Sequence, residues 1–206
     1  MHNSKYFIKT ITNNKEKEEV YRKNIQLFNK AKSYEFYFQC LWILYAMLED
    51  RTLSLIYYLG FTSENKRTSV TGTKKIKKDI RSIFNMNSSK DKYKFNNLSG
   101  KLSRIYNLIS WGQSENELES NYLTFIRKSI IKISNNKDFI NALNYLTNEW
   151  REKRNQLTHA LFNKNQNAVF IELPSLLNKG FIAMRAVDKV VSQVKRLKIR
   201  KLFNIK

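Results

Sequence analysis

Apolar and polar positions alternate with a helical period along most of the chain. Between residues 15 and 30, Val20, Ile25, Leu27 and Phe28 recur at the spacing of one helix face. Further helical patterns cover residues 33–59, 74–84, 99–109, 115–133, 137–163 and the region from 175 onward. The chain has only 5 glycines and 1 proline, which is too little punctuation for many short strands and hairpins. We therefore predict an all-α helical bundle.

The predicted helix over residues 33–59 is apolar on nearly all sides. A stripe of leucines with Tyr45 marks one face, and Ile43, Ala46, Met47 and Tyr57 add apolar surface on the opposite side. A helix of this kind is buried on more than one side. We predict a long buried central helix whose second side forms a homodimer interface. Gly60 is expected to end this helix in a left-handed conformation.

The remaining segments are predicted to connect helices. Residues 62–75 and 85–97 are polar and are expected to be loops, whereas residues 168–173 alternate in polarity before Pro174, which predicts a short extended segment. At 206 residues the chain fits one domain. We predict a loose N-terminus over 1–14, a helical bundle over 15–165, and a C-terminal helical extension with a basic tail over 166–206.

The charge of the chain predicts a polyanionic partner. The sequence contains 38 Lys+Arg and 17 Asp+Glu, for a formal net charge of +21. Nucleic acid is the favoured partner, ahead of a membrane. The uncharged stretch 36–48 is shorter than the roughly 20 residues that cross a bilayer, and no secretory signal is visible. With one cysteine, Cys40, the chain fits a reducing cytosol, so we expect a cytoplasmic location.

The C-terminal tail carries the densest run of positive charge. Five basic residues stand out near the end of the last predicted helix: Lys195, Arg196, Lys198, Arg200 and Lys201. The run forms either a solvated helix end or a surface that binds RNA phosphates. The absence of acidic residues among them favours the second alternative.

The helix over 137–163 separates a core face from a polar face. Stepped at about 100° per residue, its large apolar side chains fall within one narrow wedge. These are Phe139, Leu143, Leu146, Trp150, Leu157 and Leu161. His159 lies nearly opposite that wedge, with Asn155 one turn before it and Glu152 two turns before it. Arg154 falls on the shoulder of the wedge, where its charge requires a partner.

Arg154 and His159 are the side chains best suited to RNA cleavage. Histidine moves protons near neutral pH, and arginine stabilises the growing charge of the phosphate. Because they are five residues apart, they do not stack on one helix, so a two-fold dimer would bring two copies of each around one groove. The spacing alone is equally compatible with a solvated helix face in a basic protein.

Two carboxylates in the long helix are further candidates. Glu49 and Asp50 interrupt its apolar surface, and Asp50 lies on the second apolar face. It either supports His159 or Arg154, or forms an ion pair with Arg51 or another helix. The ion pair is favoured, because buried carboxylates are usually paired for structural reasons. We expect no metal and no cofactor, since the sequence has neither a cluster of metal-ligating residues nor a glycine-rich phosphate loop.

The string RNQLTHAL, residues 154–161, in a late helix of a small basic all-α chain resembles the HEPN superfamily. Its hallmark is an Arg, four to six residues and a His, commonly with a polar residue after the Arg; here these are Arg154, His159 and Asn155. The helix LYAMLEDRTLSLIYYLG also looks like helices of defence-associated members. The branch controlled by a nucleotidyltransferase antitoxin has a tyrosine two residues after the His, where this chain has Leu161.

The resemblance implies a dimeric bundle with both Arg/His pairs in one cleft. In such a site His159 would be the general acid/base, Arg154 would stabilise the phosphorane, and Asn155 would orient the phosphate or His159. The leading hypothesis is therefore a metal-independent endoribonuclease that cleaves RNA with the ribose 2′-hydroxyl as nucleophile. Such a protein would be a toxin or a phage-defence effector, and an antitoxin or sensor protein would be its partner. The alternatives are a non-catalytic nucleic-acid-binding module and a helical interaction subunit for an acidic protein.

Overall fold

The computed structural model describes residues 14–61, 83, 97–114, 118, 120–163 and 166–204, with only the backbone described at 14, 161–163 and 166. Four predictions fall mainly outside the described residues. They are the loose terminus over 1–14, of which Asn14 already belongs to a helix, the loop over 62–75, the helix over 74–84 apart from Ile83, and the linker over 85–97 apart from Asn97.

The described residues form helices and contain no strand, which confirms the all-α prediction. The α-helices are α1 (Asn14–Ser33), α2 (Tyr37–Tyr58), α3 (Leu98–Gly112), α4 (Asn121–Ser134), α5 (Lys137–Asn144), α6 (Arg151–Asn163), α7 (Gln166–Arg196) and α8 (Ile199–Leu202). A π-helical section, Tyr145–Trp150, joins α5 to α6. The helix predicted over 137–163 is therefore one continuous rod.

Several helix boundaries follow from local chemistry. The side chains of Asn97, Ser120 and Asn136 accept hydrogen bonds from backbone N–H groups in the first turns of α3, α4 and α5. The Ser120 cap places the start of α4 later than the predicted residue 115. At the end of α2, Gly60 has a φ of 90°, as expected for a left-handed glycine. A turn with Glu35 at a φ of 59° delays the start of α2 to residue 37.

The buried face of α1 agrees in part with the predicted one. Ile25 and Phe28 pack against the core as predicted, whereas Val20 and Leu27 are 37% and 47% exposed. Tyr21, which was not predicted, completes the buried face at the helical spacing 21, 25 and 28. Tyr21 is fixed there because its hydroxyl donates to the backbone oxygen of Met47 at 3.0 Å.

Helices α2 and α7 pack along each other at the centre of the bundle, and α1 and α3 also pack on α2. Within α2, Leu44, Leu48 and Ile56 are completely buried. Met47, predicted to lie at a dimer interface, is only 2% exposed, and Tyr21 of α1 donates to its backbone oxygen, so this side of α2 is covered within one chain. The exposed residues of α2 include Trp42, at 73%, and Ala46.

The prediction of an extended segment over 168–173 is wrong. These residues belong to α7, which continues through Pro174. Val169, Leu173 and Leu176 are buried at helical spacing, so packing against the bundle outweighs both the alternating pattern and the missing proline N–H. Farther along α7, Val187 and Val190 have no exposed surface, which makes α7 a central part of the core.

Helix α7 closely approaches the π-helical section just before the start of α6. A Cβ atom added to Gly180 of α7 would lie 2.6 Å from Nε1 of Trp150 and 2.8 Å from Cδ2 of Leu44. The absence of a side chain at position 180 therefore lets α7 contact the last residue of the π-helical section. No helix in the described part of the chain combines the length and apolarity that a membrane crossing needs.

Candidate active site on helix α6

Arg154 lies at the edge of the core, as its position in the helix predicted. Its guanidinium carbon is 4.8 Å from the centroid of the Tyr45 ring and 5.5 Å from that of Trp150. The two rings stack with centroids 6.4 Å apart and an angle of 17° between their planes. Stacking on aromatic faces compensates part of the cost of removing an arginine from water. The guanidinium is thereby held in one place on the surface of the bundle.

Asn155 holds the same guanidinium from the side. The Nε of Arg154 donates to Oδ1 of Asn155 at 3.1 Å, and Nη2 donates to the same oxygen. The Arg-Asn pair is therefore a local unit, in which the amide oxygen is already engaged by its neighbour. The amide nitrogen of Asn155 stays available to donate to a bound group.

His159 is exposed, one helical turn beyond Asn155. Among the described residues it has no hydrogen-bond or ion-pair partner. It lies about 140° around the helix axis from Arg154, given about 100° per residue. Glu152, two turns before His159, is also exposed and accepts a hydrogen bond from Gln156 at 3.1 Å. The structure brings Arg154 and Asn155 together and leaves His159 on the adjoining polar face.

A second layer of polar contacts supports Tyr45. Its hydroxyl donates to Oε1 of Glu49 at 3.2 Å, and Nζ of Lys101 lies 3.1 Å from the same oxygen. Lys101 is only 5% exposed, and sequence reasoning missed it. Its position between the buried residues Leu98 and Leu102 of α3 was the available signal. Glu49 therefore acts on the site through Tyr45.

Asp50 belongs to a different cluster, between α1, α2 and α7. It lies 2.8 Å from Nζ of Lys17 and accepts hydrogen bonds from Arg51, which in turn lies 3.2 Å from Asp188. Burial acts to raise the pKa of the Asp50 carboxyl, but the charges of Arg51 and Lys17 outweigh it and hold the pKa below its ordinary value. Asp50 therefore forms the ion pair that was the favoured alternative, and it contacts neither Arg154 nor His159.

Phe38, Trp42 and Tyr45 form an aromatic row on one face of α2, which begins at the candidate active site with Tyr45. The exposed Trp42 ring meets Tyr45 edge to face, with centroids 6.5 Å apart. One turn earlier, Phe38 contacts Phe170 of α7 at 6.1 Å. Residues 38, 42, 45 and 49 share one face of α2 at helical spacing, a signal that was present in the sequence. Sequence reasoning missed Trp42, which gives the surface beside Arg154 an exposed indole.

The five basic residues of the tail are divided between two environments. Lys195 lies 3.6 Å from Glu18, and Arg200 donates to the backbone oxygen of Tyr57 at 3.3 Å with its guanidinium over the Tyr57 ring. These two cations tie the C-terminal helices to the bundle. The other three, Arg196, Lys198 and Lys201, are exposed.

Comparisons of the chain with protein-family models, with curated proteins and with solved structures gave no match. The residues of α6 and their neighbours are therefore the basis for proposing a function.

Proposed function

We propose that the protein is a metal-independent endoribonuclease of the HEPN type. The observation that carries this proposal is the Arg154 guanidinium, which Tyr45, Trp150 and Asn155 position on the helix that also carries the exposed His159. A fixed guanidinium and an exposed imidazole are the two groups that metal-free phosphodiester cleavage needs. The net charge of +21 supports RNA as the substrate.

In the proposed reaction the ribose 2′-oxygen attacks the adjacent phosphorus while a general base takes its proton. The bond from phosphorus to the 5′-oxygen then breaks, and a general acid protonates that oxygen. The products are a 2′,3′-cyclic phosphate and a 5′-hydroxyl end. His159 serves as the acid/base group, and Arg154 stabilises the negative charge of the phosphorane. Asn155 keeps Arg154 oriented and offers its amide nitrogen to a phosphate oxygen.

We propose that two copies of the chain complete the site as a homodimer. Within one protomer Arg154 and His159 lie about 140° apart around the helix, too far around for both side chains to approach one phosphate directly. A two-fold axis near α6 would place His159 of one protomer beside Arg154 of its partner. Since Met47 is covered by α1, the exposed row around Trp42 is the face of α2 available for this contact.

A cytoplasmic location is proposed as well, because the single cysteine, Cys40, is buried and free. An RNase acting there needs control, so we propose a toxin or phage-defence effector with an antitoxin or sensor protein as partner.

The test is incubation of purified protein with RNA in the presence of EDTA. We expect cleavage that leaves cyclic phosphate at the 3′ end of the upstream fragment, which end-group analysis detects. Intact RNA under conditions where the protein binds it would contradict the proposal.

A second candidate function is a non-catalytic nucleic-acid-binding module. The observation that favours it is the engagement of Arg154 with Asn155, which is independent of His159. Arg154 and His159 would then contact phosphates separately. Salt-dependent RNA binding without cleavage, weakened by His159→Ala and by Arg154→Ala alike, would support this alternative.

A further inference from the structure

Helices α5 and α7 enclose an open groove of about 920 Å³. Four exposed basic residues of α7 line it: Lys179, Arg185, Lys189 and Arg196. The first and the last of them are 17 residues apart on one helix, or about 25 Å at a rise of 1.5 Å per residue. Three of them, Lys179, Arg185 and Lys189, precede the basic tail that the sequence indicated.

The positive charge of this groove is largely uncompensated. None of the four basic side chains forms an ion pair with a described residue, whereas Lys195 of the same helix lies 3.6 Å from Glu18. The groove contains two carboxylates. Asp188 is engaged by Arg51 at 3.2 Å, and Asp138 lies in the first turn of α5, where the helix N-terminus favours a negative charge. An anionic ligand would therefore find four available cations.

The rest of the lining combines neutral polar groups with small apolar side chains. Asn141 of α5 and Ser192 and Gln193 of α7 offer hydrogen-bonding groups. The hydroxyl of Tyr145 is a further donor at neutral pH, and burial together with the charge of Glu149 raises its pKa to about 12. Three alanines and Ile182 supply apolar surface, but Ile182 is the one large aliphatic side chain of the described lining, whereas a helix that enters a membrane surface presents a row of them.

The groove and the candidate active site lie along the same pair of helices. Helix α5 continues through the π-helical section into α6, and Lys153 of α6 lies 3.1 Å from Glu172 of α7. Tyr145, at the groove, precedes Arg154 by nine residues, which is about 13 Å along the rod. A strand lying in the groove would thus extend along the rod toward α6, the helix that carries Arg154 and His159.

We infer that this groove binds the phosphate backbone of single-stranded RNA and holds the part of the substrate that flanks the cleaved bond. This inference rests on the proposed function, whose substrate it specifies. Packed helices generally lie with their axes 8–10 Å apart, and a groove between them admits one strand more readily than a duplex. Contacts to phosphates bind without reading sequence, so the groove would contribute affinity rather than specificity.

The test compares two fourfold variants, both carrying His159→Ala so that RNA is not cut. The groove variant has Lys179→Gln, Arg185→Gln, Lys189→Gln and Arg196→Gln. The control variant has Lys23→Gln, Lys30→Gln, Lys128→Gln and Lys132→Gln, which removes the same charge from exposed positions of α1 and α4. Fluorescence anisotropy with an unstructured oligouridine gives the dissociation constant over a series of salt concentrations.

We expect the groove variant to bind more weakly and to lose about 0.7 log units of salt slope per phosphate contact removed. The control variant should keep nearly the full slope. Equal losses of slope in both variants would show a general effect of charge and would overturn the inference. An unchanged slope in the groove variant would also overturn it. Polyglutamate serves as a second probe. If the groove substitutions weakened polyglutamate binding and left RNA binding intact, the groove would be a site for an acidic protein instead.

The outcome for the groove is separable from that for catalysis. If the groove substitutions lower the slope as expected but the chain with His159 intact never cuts RNA, the groove stands as an RNA-binding site and the proposed function falls. If the chain cuts RNA and the groove substitutions leave the slope unchanged, the reverse holds.

Discussion

The guanidinium carbon of Arg154 lies 4.8 Å from the centre of the Tyr45 ring, so a residue of the candidate active site on α6 is held by the central helix α2. Tyr45 is itself fixed by Glu49 and Lys101, which are 52 residues apart in the chain. The position of Arg154 is therefore set by contacts from three helices.

This relationship predicts different effects for two substitutions of Tyr45. Tyr45→Phe keeps the ring beneath Arg154, and we expect it to retain most of the cleavage rate. Tyr45→Leu removes the cation–π contact, which is worth about 0.5–2 kcal/mol, and should lower turnover by up to roughly thirtyfold through misplacement of Arg154. Single-turnover cleavage at saturating RNA measures both. Equal rates for the two variants would show that the ring does not position Arg154.

His159→Ala is expected to fold normally and to lose cleavage. The side chain is exposed and has no partner among the described residues, so stability should change by less than about 0.5 kcal/mol. Loss of acid/base catalysis should reduce the rate by about 10² to 10⁴. Asn148→Ala, an exposed change on the π-helical section, is the control. Cleavage by the purified His159 variant at the parental rate would remove His159 from the mechanism.

Charges placed on the two sides of α2 should have different consequences. Trp42 is exposed, so Trp42→Glu should give a folded monomer with little activity if the aromatic row forms the dimer contact. Met47 is buried beneath α1, and Met47→Glu should unfold the chain because it buries an unpaired charge. Light scattering measures whether each variant is a monomer or a dimer, and thermal melting measures whether it is folded. A fully active monomer at the working concentration would exclude the proposed dimer.

Asp50 should make stability dependent on acid pH. Its folded-state pKa is held below the ordinary value, so its contribution is complete above the unfolded pKa of about 3.9 and is lost as the pH falls through the folded pKa. Because the carboxyl is partly solvent-screened, we expect Asp50→Asn to cost roughly 1 kcal/mol at pH 7. Chemical denaturation of both proteins should show this difference shrinking below about pH 4. A difference independent of pH would mean that charge is not its cause.

Features that depend on one helix were predictable from the sequence. The scarcity of glycine and proline and the helical period of the apolar residues were enough for the all-α class. The side chains of Phe139, Leu143 and Trp150 are buried, and His159 is exposed, as the wedge on the 137–163 helix indicated. A regular helix turns by a constant angle per residue, so where only one face of a helix is covered, the buried positions indicate which positions are exposed.

Predictions failed where more than one face of a helix could be covered. In α1 and α2 the apolar residues outnumber the positions that one partner helix can bury. The sequence around Val20 does not indicate that it will be exposed, and the sequence around Met47 does not indicate that it will be buried. Residues 168–173 had a pattern compatible with a strand, but the neighbouring helices bury them at helical spacing.

Contacts between distant parts of the chain were determined by the tertiary structure alone. The period of α6 predicted that Arg154 needed a partner, but the choice of Tyr45 depends on how α2 crosses α6. The same is true of Lys101 beside Glu49, and of the groove between α5 and α7, whose basic residues look like an ordinary solvated helix face in the sequence. Periodicity specifies which side of each helix is apolar, whereas the choice of neighbour is made by the packing of all the helices together.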